Sequence, residues 1–490
     1  MRFAGSINKE VEMRNVLILI ALLCVVCAAA QDDYEAWKKQ QQAALTDYRS
    51  AQDAAFASFL ENHWKAFETF TGETPDEVPK PEDLPVAKPE PLPEITLAPR
   101  IKKIEIPTAA VEEPVVHDQR IYAPAEPEKT LQVDYYGLPL HLRYQPQPQI
   151  TLATPLKEKS VADFWYQFSD TNYEKLTDDL QSTRQDLALN DWAYCLLMNS
   201  TAKQIFPADA NLQRLAVWFL LTKAGYEAKV GYSENEVFLL LPSQQVMYGV
   251  TYMTMDNKRF YVVSFDSKQK IGALYTYEGS YPDADAVIDL SVNEIPVLTE
   301  EKVNRTLEFS YNGQDYTLPV TYNRTVSAFF ENYPLTDIRV YFEAPLSSNV
   351  NHALTEQLST ILNGKSETEA VNILLRFVQT AFAYKTDGDQ FGREKSFFGD
   401  EILSYPYSDC EDRSIFFANL VRNLLGLRVV ALDYPGHIAT AVHFSTDVPG
   451  DSVTYENQRY VICDPTYINA NLGMEMPTFK DTPPDVIALK

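Results

Sequence analysis

The sequence predicts an α+β fold in which a helix opened by a cysteine is followed by strands, and an earlier stretch repeats the same order. Three observations carry this. Ser408-Asp409-Cys410-Glu411-Asp412-Arg413-Ser414 opens a run in which Phe417, Leu420, Val421, Leu424 and Leu425 recur at helical spacing, one stripe of an amphipathic helix. Residues 306–311, 316–322 and 337–342 alternate as strands do, with the turn signal Asn312-Gly313 between the first two. At an offset near 200, Ala208-Asp209-Ala210 answers Ser408-Asp409-Cys410, and 257–263 answers 457–463.

In chain order, 490 residues exceed one compact core, so two or more domains are expected. A net charge of -26 and a pI near 4.6 argue against nucleic acid and anionic membrane surfaces as partners. Val16–Cys27 is an apolar core with basic residues before it and Ala28-Ala29-Ala30-Gln31 after it. It is shorter than the ~20 residues of a span, so residues 1–30 read as a cleaved signal of an exported protein: periplasmic, cell-surface or secreted. Trp37, Leu45, Tyr48, Phe56, Phe59, Leu60, Trp64 and Phe67 mark a helical stripe within 31–72, a docking face or a coiled pairing surface. Residues 73–130 are a proline-rich linker or wrapping arm, as in Pro89-Glu90-Pro91-Leu92-Pro93. An envelope-protein partner is expected on this helix and arm. Residues 131–285 form the first globular unit, 286–345 a β-rich segment, and 346–490 the second unit. In the second, a helix at Glu367–Phe382 leads through the polar loop 384–399 to the cysteine.

Ser408 or Asp409 suits the N-cap and the two acids suit the positive end of the dipole, so Cys410 lies in the first helical turn. Downstream, Gly436-His437 leads one strand, and Asp464 closes another in Cys463-Asp464-Pro465-Thr466-Tyr467. Cys410, His437 and Asp464 follow the order of a thiol nucleophile, its base and the base's orienter. Alternation puts His437, Ala439 and Ala441 on one face, where small residues leave room for the cysteine helix and a substrate. His443 ends the same face as runner-up base. Gln379 and Gln390 read as oxyanion donors or as surface polar residues. Glu411 and Asp412 are expected to point to solvent, leaving the dipole and an imidazolium to favour a thiolate over a free thiol of pKa ~8.5. Without the signal, Cys195, Cys410 and Cys463 remain, an odd set that leaves at least one free thiol. No Cys/His pair has metal-ligand spacing, and no metal or cofactor is expected. In the earlier copy Cys410 falls on Ala210, His437 on Val237 and Asp464 on Ser264.

The helix-opening Cys410, the Gly436-His437 strand and Cys463-Asp464-Pro465-Thr466-Tyr467 resemble the catalytic core of the transglutaminase-like superfamily, over roughly 355–476. The resemblance implies a papain-like fold, with the cysteine helix packed on an antiparallel sheet carrying His and Asp, preceded here by a degenerate copy. It implies a cysteine protease, amidase or acyltransferase acting on protein or peptide through Cys410, His437 and Asp464. The family often has Trp soon after the His, where this chain has Ile438-Ala439-Thr440. All five Trp precede residue 286. As the resemblance implies, Trp walls shield a transglutaminase acyl-enzyme from water, so their absence favours hydrolysis over amine transfer. Two other classes stay open, a binding protein on a degenerate core and a structural envelope protein. The intact Cys, His and Asp favour the enzyme.

Overall fold

A computed structural model describes residues 34, 36–75, 84–88, 99–107, 129–147, 149–265, 271 and 273–489. The export signal expected at 1–30 and most of the proline-rich stretch lie outside these residues. Helix α1 covers 36–60. Its first half exposes Trp37, Leu45 and Tyr48, while Asp53, Phe56 and Leu60 are buried and Asp53 pairs with Lys223. Trp64 and Phe67 leave the expected helical stripe. They lie in β1 (Trp64–Phe67), because pairing along a sheet edge satisfies backbone groups that end-of-helix residues leave open.

The first unit starts with the hairpin β2 (Leu131–Tyr135) and β3 (Leu138–Leu142). Helices α2 (Glu158–Ser169), α3 (Tyr173–Asp186), α4 (Asp191–Ile205) and α5 (Ala210–Lys223) follow. Strands β4 (Lys229–Ser233), β5 (Glu236–Pro242), β6 (Tyr252–Met255), β7 (Lys258–Val263) and β8 (Leu274–Tyr277) join β1 in an antiparallel sheet ordered β1-β8-β4-β5-β7-β6. The second unit starts with the hairpin β9 (Lys302–Tyr311) and β10 (Gln314–Asn323), then α6 (Arg324–Phe330), α7 (Ile338–Glu343), α8 (Ser348–Leu362) and α9 (Glu367–Ala381). The stretch 382–409 holds β11 (Ala383–Tyr384), α10 (Asp387–Phe391) and β12 (Tyr407–Ser408). Next come α11 (Cys410–Leu420), β13 (Arg428–Tyr434), β14 (His437–His443), β15 (Ser452–Tyr455), β16 (Gln458–Cys463) and β17 (Asp485–Ala488). Their antiparallel sheet is ordered β15-β16-β14-β13-β17, which repeats β6-β7-β5-β4-β8.

The hairpins repeat as well. Strand β2 packs on α4 and β3 on α3, while β9 packs on α9 and β10 on α8. The β-rich stretch 286–345 is therefore part of the second unit. The strand expected at 337–342 is helix α7 instead: the Asp337 carboxylate accepts from Arg339 N at 2.9 Å, and the helix buries Val340, Tyr341 and Phe342.

Helix α11 departs from the amphipathic expectation, being buried along its whole length. Sheet strand β14, helices α7 and α9, and the stretch 382–409 enclose it. Its polar donors bond inside: Arg413 Nη2 donates to Phe382 O at 2.8 Å, and Asn419 Nδ2 to Ile415 O at 3.2 Å. A π-helical turn at Val421–Leu425 ends it before Gly426, whereas α5 reaches Gly225 without one. Such a turn adds one residue to a helix. That raises the offset between the units from 200 to 201 over β4 and β5, and it is 200 again at β6 and β7.

One contiguous apolar core runs through both units. Asp400 is enclosed beside it and bonds Ser347 N at 3.0 Å. Burial pushes its carboxyl up to about 6, against the opposing Ser347 contact. A folded pKa above the unfolded one means the native state binds the extra proton. Stability therefore falls as pH rises from ~4 to ~6, by about 3 kcal/mol, and stays lowered above. Asp400→Asn is expected to gain about 2–3 kcal/mol more over wild type at pH 8 than at pH 4, measured by urea unfolding at both. Equal differences at the two pH values would contradict the assignment.

Candidate active site

Asp409 caps α11 in a capping box with Asp412, whose carboxylate accepts from Asp409 N at 3.2 Å and from Phe397 N at 2.9 Å. Cys410 is thereby fixed as the first helical residue. Its Sγ donates to Glu411 Oε2 at 3.2 Å. Glu411 and Asp412 do not point to solvent as expected. Both are buried, because 382–409 folds over the helix start and buries Phe397 and Phe398 there. Burial pushes the Asp412 carboxyl well above the usual carboxylate range, and the charges of Asp387 and Glu411 add to it. The negative charge beside Sγ opposes a thiolate. Arg413 is a nearby buried cation; burial lowers it to about 10, against the pull of Tyr384, Asp409, Asp412 and Cys410. Carboxylate oxygens of Asp387, Asp409 and Glu411 lie within 4.8 Å of one another, an all-oxygen set of the kind that holds a hard cation.

His437 follows the Pro435-Gly436 turn, where Gly436 takes φ 70° and Tyr434 pairs with His437. Proline then a positive-φ glycine is a type II turn. His437 Nε2 meets Asp464 Oδ2 at 2.9 Å, with both side chains buried. Asp464 is held by Thr466 N at 2.8 Å and Tyr467 N at 3.2 Å, both donating to Oδ1. Gln379 is neither an oxyanion donor nor a surface residue. Its buried Nε2 donates to the carbonyls of Asp464, Tyr467 and Ala470 at 3.2, 2.8 and 3.0 Å and so pins this loop. Its signal in the sequence was an amide within an otherwise apolar helix, which must find partners inside. Gln390 is half-buried on α10, away from these groups' hydrogen bonds.

Strand β14 turns the other way from expectation. His437, Ala439 and Ala441 share the face of Tyr434 and Leu432, and Phe479 stacks on the His437 ring at 5.0 Å, 6° from parallel. Val442, on the opposite face, belongs to the core that α11 enters. Contact with the cysteine helix is made at the start of the strand: Ser414 Oγ donates to Ile438 O at 2.9 Å. Cys410 is one turn before Ser414 on the same helix face. Cys410 and His437 are not hydrogen-bonded, and His437 Nδ1 has no hydrogen-bond partner among the described residues. The chain brings His437 to Asp464 and leaves Cys410 on Glu411. His443 sits six residues along the strand, ~20 Å away, with Nδ1 at 2.9 Å from Arg459 O. Cys195 and Cys463 are free and buried, and burial pushes both thiols up.

The chain matches no family profile, no curated protein and no solved structure. Comparison within the chain is more informative. Val263 pairs with Leu239 as Cys463 pairs with Thr440, so three residues back along β5 the place of His437 belongs to Glu236, not Val237. The one residue added at the π-helical turn causes the shift. A second contact agrees: Arg214 Nη1 donates to Val237 O at 3.0 Å, as Ser414 does to Ile438 O. Arg214 also pairs with Glu236 at 3.2 Å. At the three positions of Cys410, His437 and Asp464 the first unit has Ala210, Glu236 and Ser264, without thiol or imidazole.

Proposed function

We propose that this chain is an exported cysteine-dependent amide-bond enzyme acting on protein or peptide, with a papain-like, transglutaminase-like core in the second unit and a degenerate copy in the first. Cys410 is the nucleophile, His437 the base and Asp464 its orienter. The observation that carries this reading is the bond from Asp464 to Nε2. A carboxylate there keeps the ring proton on Nε2, so Nδ1, which lacks a partner among the described residues, is the acceptor. Sγ turns from Glu411 to Nδ1 and passes its proton to the ring. The thiolate attacks the amide carbonyl, and the imidazolium returns the proton to the departing amine, leaving a thioester. Water, deprotonated by Nδ1, then cleaves the thioester and frees Cys410.

With every Trp before residue 286, hydrolysis is favoured over amine transfer. The test is turnover of casein-derived peptides in the presence of a labelled primary amine. New amino termini should outnumber incorporated label by at least tenfold. The second reading, a non-catalytic envelope binding protein, is favoured by the bond from Sγ to Glu411 and by the burial of all three groups. Absence of both products and of any trapped thioester from folded protein would select it.

A further inference from the structure

Among its described residues, the proline-rich arm touches the second unit at 99–107 and at 84–88. Residues 99–107 lie on the α8–α9 turn, with Ile101 N donating to Lys365 O at 2.7 Å and Glu367 N to Pro99 O at 3.0 Å. Residues 84–88 lie on the loop that follows Asp464. Ala87 N donates to Ile468 O at 2.8 Å and Ile468 N to Pro85 O at 3.0 Å, a parallel bridge centred on Val86 and Ile468. Side chains alternate as on an added strand: Val86 is 65% exposed, while Ala87 is 4% exposed among Tyr467, Ala470 and Met476. This small apolar cluster packs against Phe479, the residue stacked on the His437 ring. The arm is thus one side chain removed from the base, on a loop whose backbone also holds the Asp464 carboxylate.

Main-chain bonds in this mode accept many sequences, while the pocket for alternate side chains selects among them. We propose that residues 84–88 occupy, as a tethered stand-in, the seat of an extended polypeptide substrate with a small apolar side chain at the Ala87 position. The arm closes the site until it lifts. This rests on the enzyme reading given above. The second anchor at 99–107 keeps the segment nearby when released, at the millimolar effective concentration of a short tether, so a free peptide competes poorly with it. Ala87 is the point of attack. Ala87→Pro removes the N–H given to Ile468, and Ala87→Glu puts a charge into the apolar cluster.

The experiment compares full-length wild type with both variants. Binding of a fluorescein-labelled peptide of the sequence of residues 84–88 is measured by anisotropy, and iodoacetamide labelling of Cys410 by mass spectrometry. Both variants should bind the peptide at least tenfold more tightly than wild type and label about tenfold faster. Unlabelled peptide should return their labelling rate to that of wild type. Equal peptide binding in all three proteins, or binding that leaves a measurable labelling rate unchanged, would make the arm a structural strap and overturn the proposal. Tighter peptide binding with no labelling of Cys410 in any protein would instead retire the nucleophile, and the substrate role of the seat with it.

Discussion

Cys410→Ala is expected to abolish both iodoacetamide labelling at the start of α11 and all amide-bond turnover, with unfolding shifted by no more than a few degrees. The helix start is held by Asp409, Asp412 and Phe397 N, none of which uses the thiol. Alanine is also the strongest helix former. His437→Ala should cost nearly as much turnover, on the order of 10³- to 10⁴-fold, because the proposed chemistry needs an imidazole both to take the thiol proton and to return it to the leaving amine. Asp464→Asn should weaken turnover by a similar order without abolishing it. Its amide oxygen can still take the Thr466 and Tyr467 N–H groups, but its NH₂ then faces Nε2 and moves the ring proton to Nδ1, the wrong nitrogen. His443→Ala, ~20 Å along the strand, should change turnover less than twofold. A full set of kinetic constants for the four variants decides the matter. Loss in His443→Ala matching that in His437→Ala, or turnover surviving in Cys410→Ala, would remove the proposed triad.

Local rules recovered what local physics controls. The N-cap of α11, the Asn312-Gly313 hairpin, and the strands that open at His437 and end just before Asp464 were legible because caps, turns and alternation are short-range. What failed depends on tertiary enclosure. The stripe through Phe417 and Leu424 gave no sign that the opposite face of α11, with Arg413 and Asn419, is also buried, since the cover comes from 382–409. Glu411 and Asp412 follow the same lesson: acids at a helix start normally find water, and here the same cover denies it. Val237 was matched to His437 because a sequence offset cannot reveal a π-helical turn. Alternation likewise separates the two faces of β14 without saying which of them meets the cysteine helix. The alternation at 337–342 lost to a cap, since Asp337 starts a helix there.

The carboxylate beside the nucleophile gives the other large effect. Glu411→Gln is expected to speed iodoacetamide labelling of Cys410 at pH 7 by at least tenfold and to move the midpoint of the labelling–pH curve down by at least one unit. At the 3.2 Å between Sγ and Oε2, a thiolate and a carboxylate repel by a few kcal/mol at the effective dielectric of a protein site. Only part of this is recovered, because a more acidic thiol is a weaker nucleophile and the neutral amide oxygen can still accept the S–H. Asp412→Asn is the control. Burial and the neighbouring acids already favour its neutral form, so removing its charge should change labelling less than threefold. The pair of variants separates a charge effect from a cap effect, since Asp412 bonds the backbone at the helix start while Glu411 accepts the thiol. If Asp412→Asn accelerates labelling while Glu411→Gln does not, the thiol is restrained by the cap geometry and not by the charge at Glu411. If neither moves the curve and Cys410 labels only above pH 8.5, the cysteine is a buried structural residue and the binding-protein reading stands in its place.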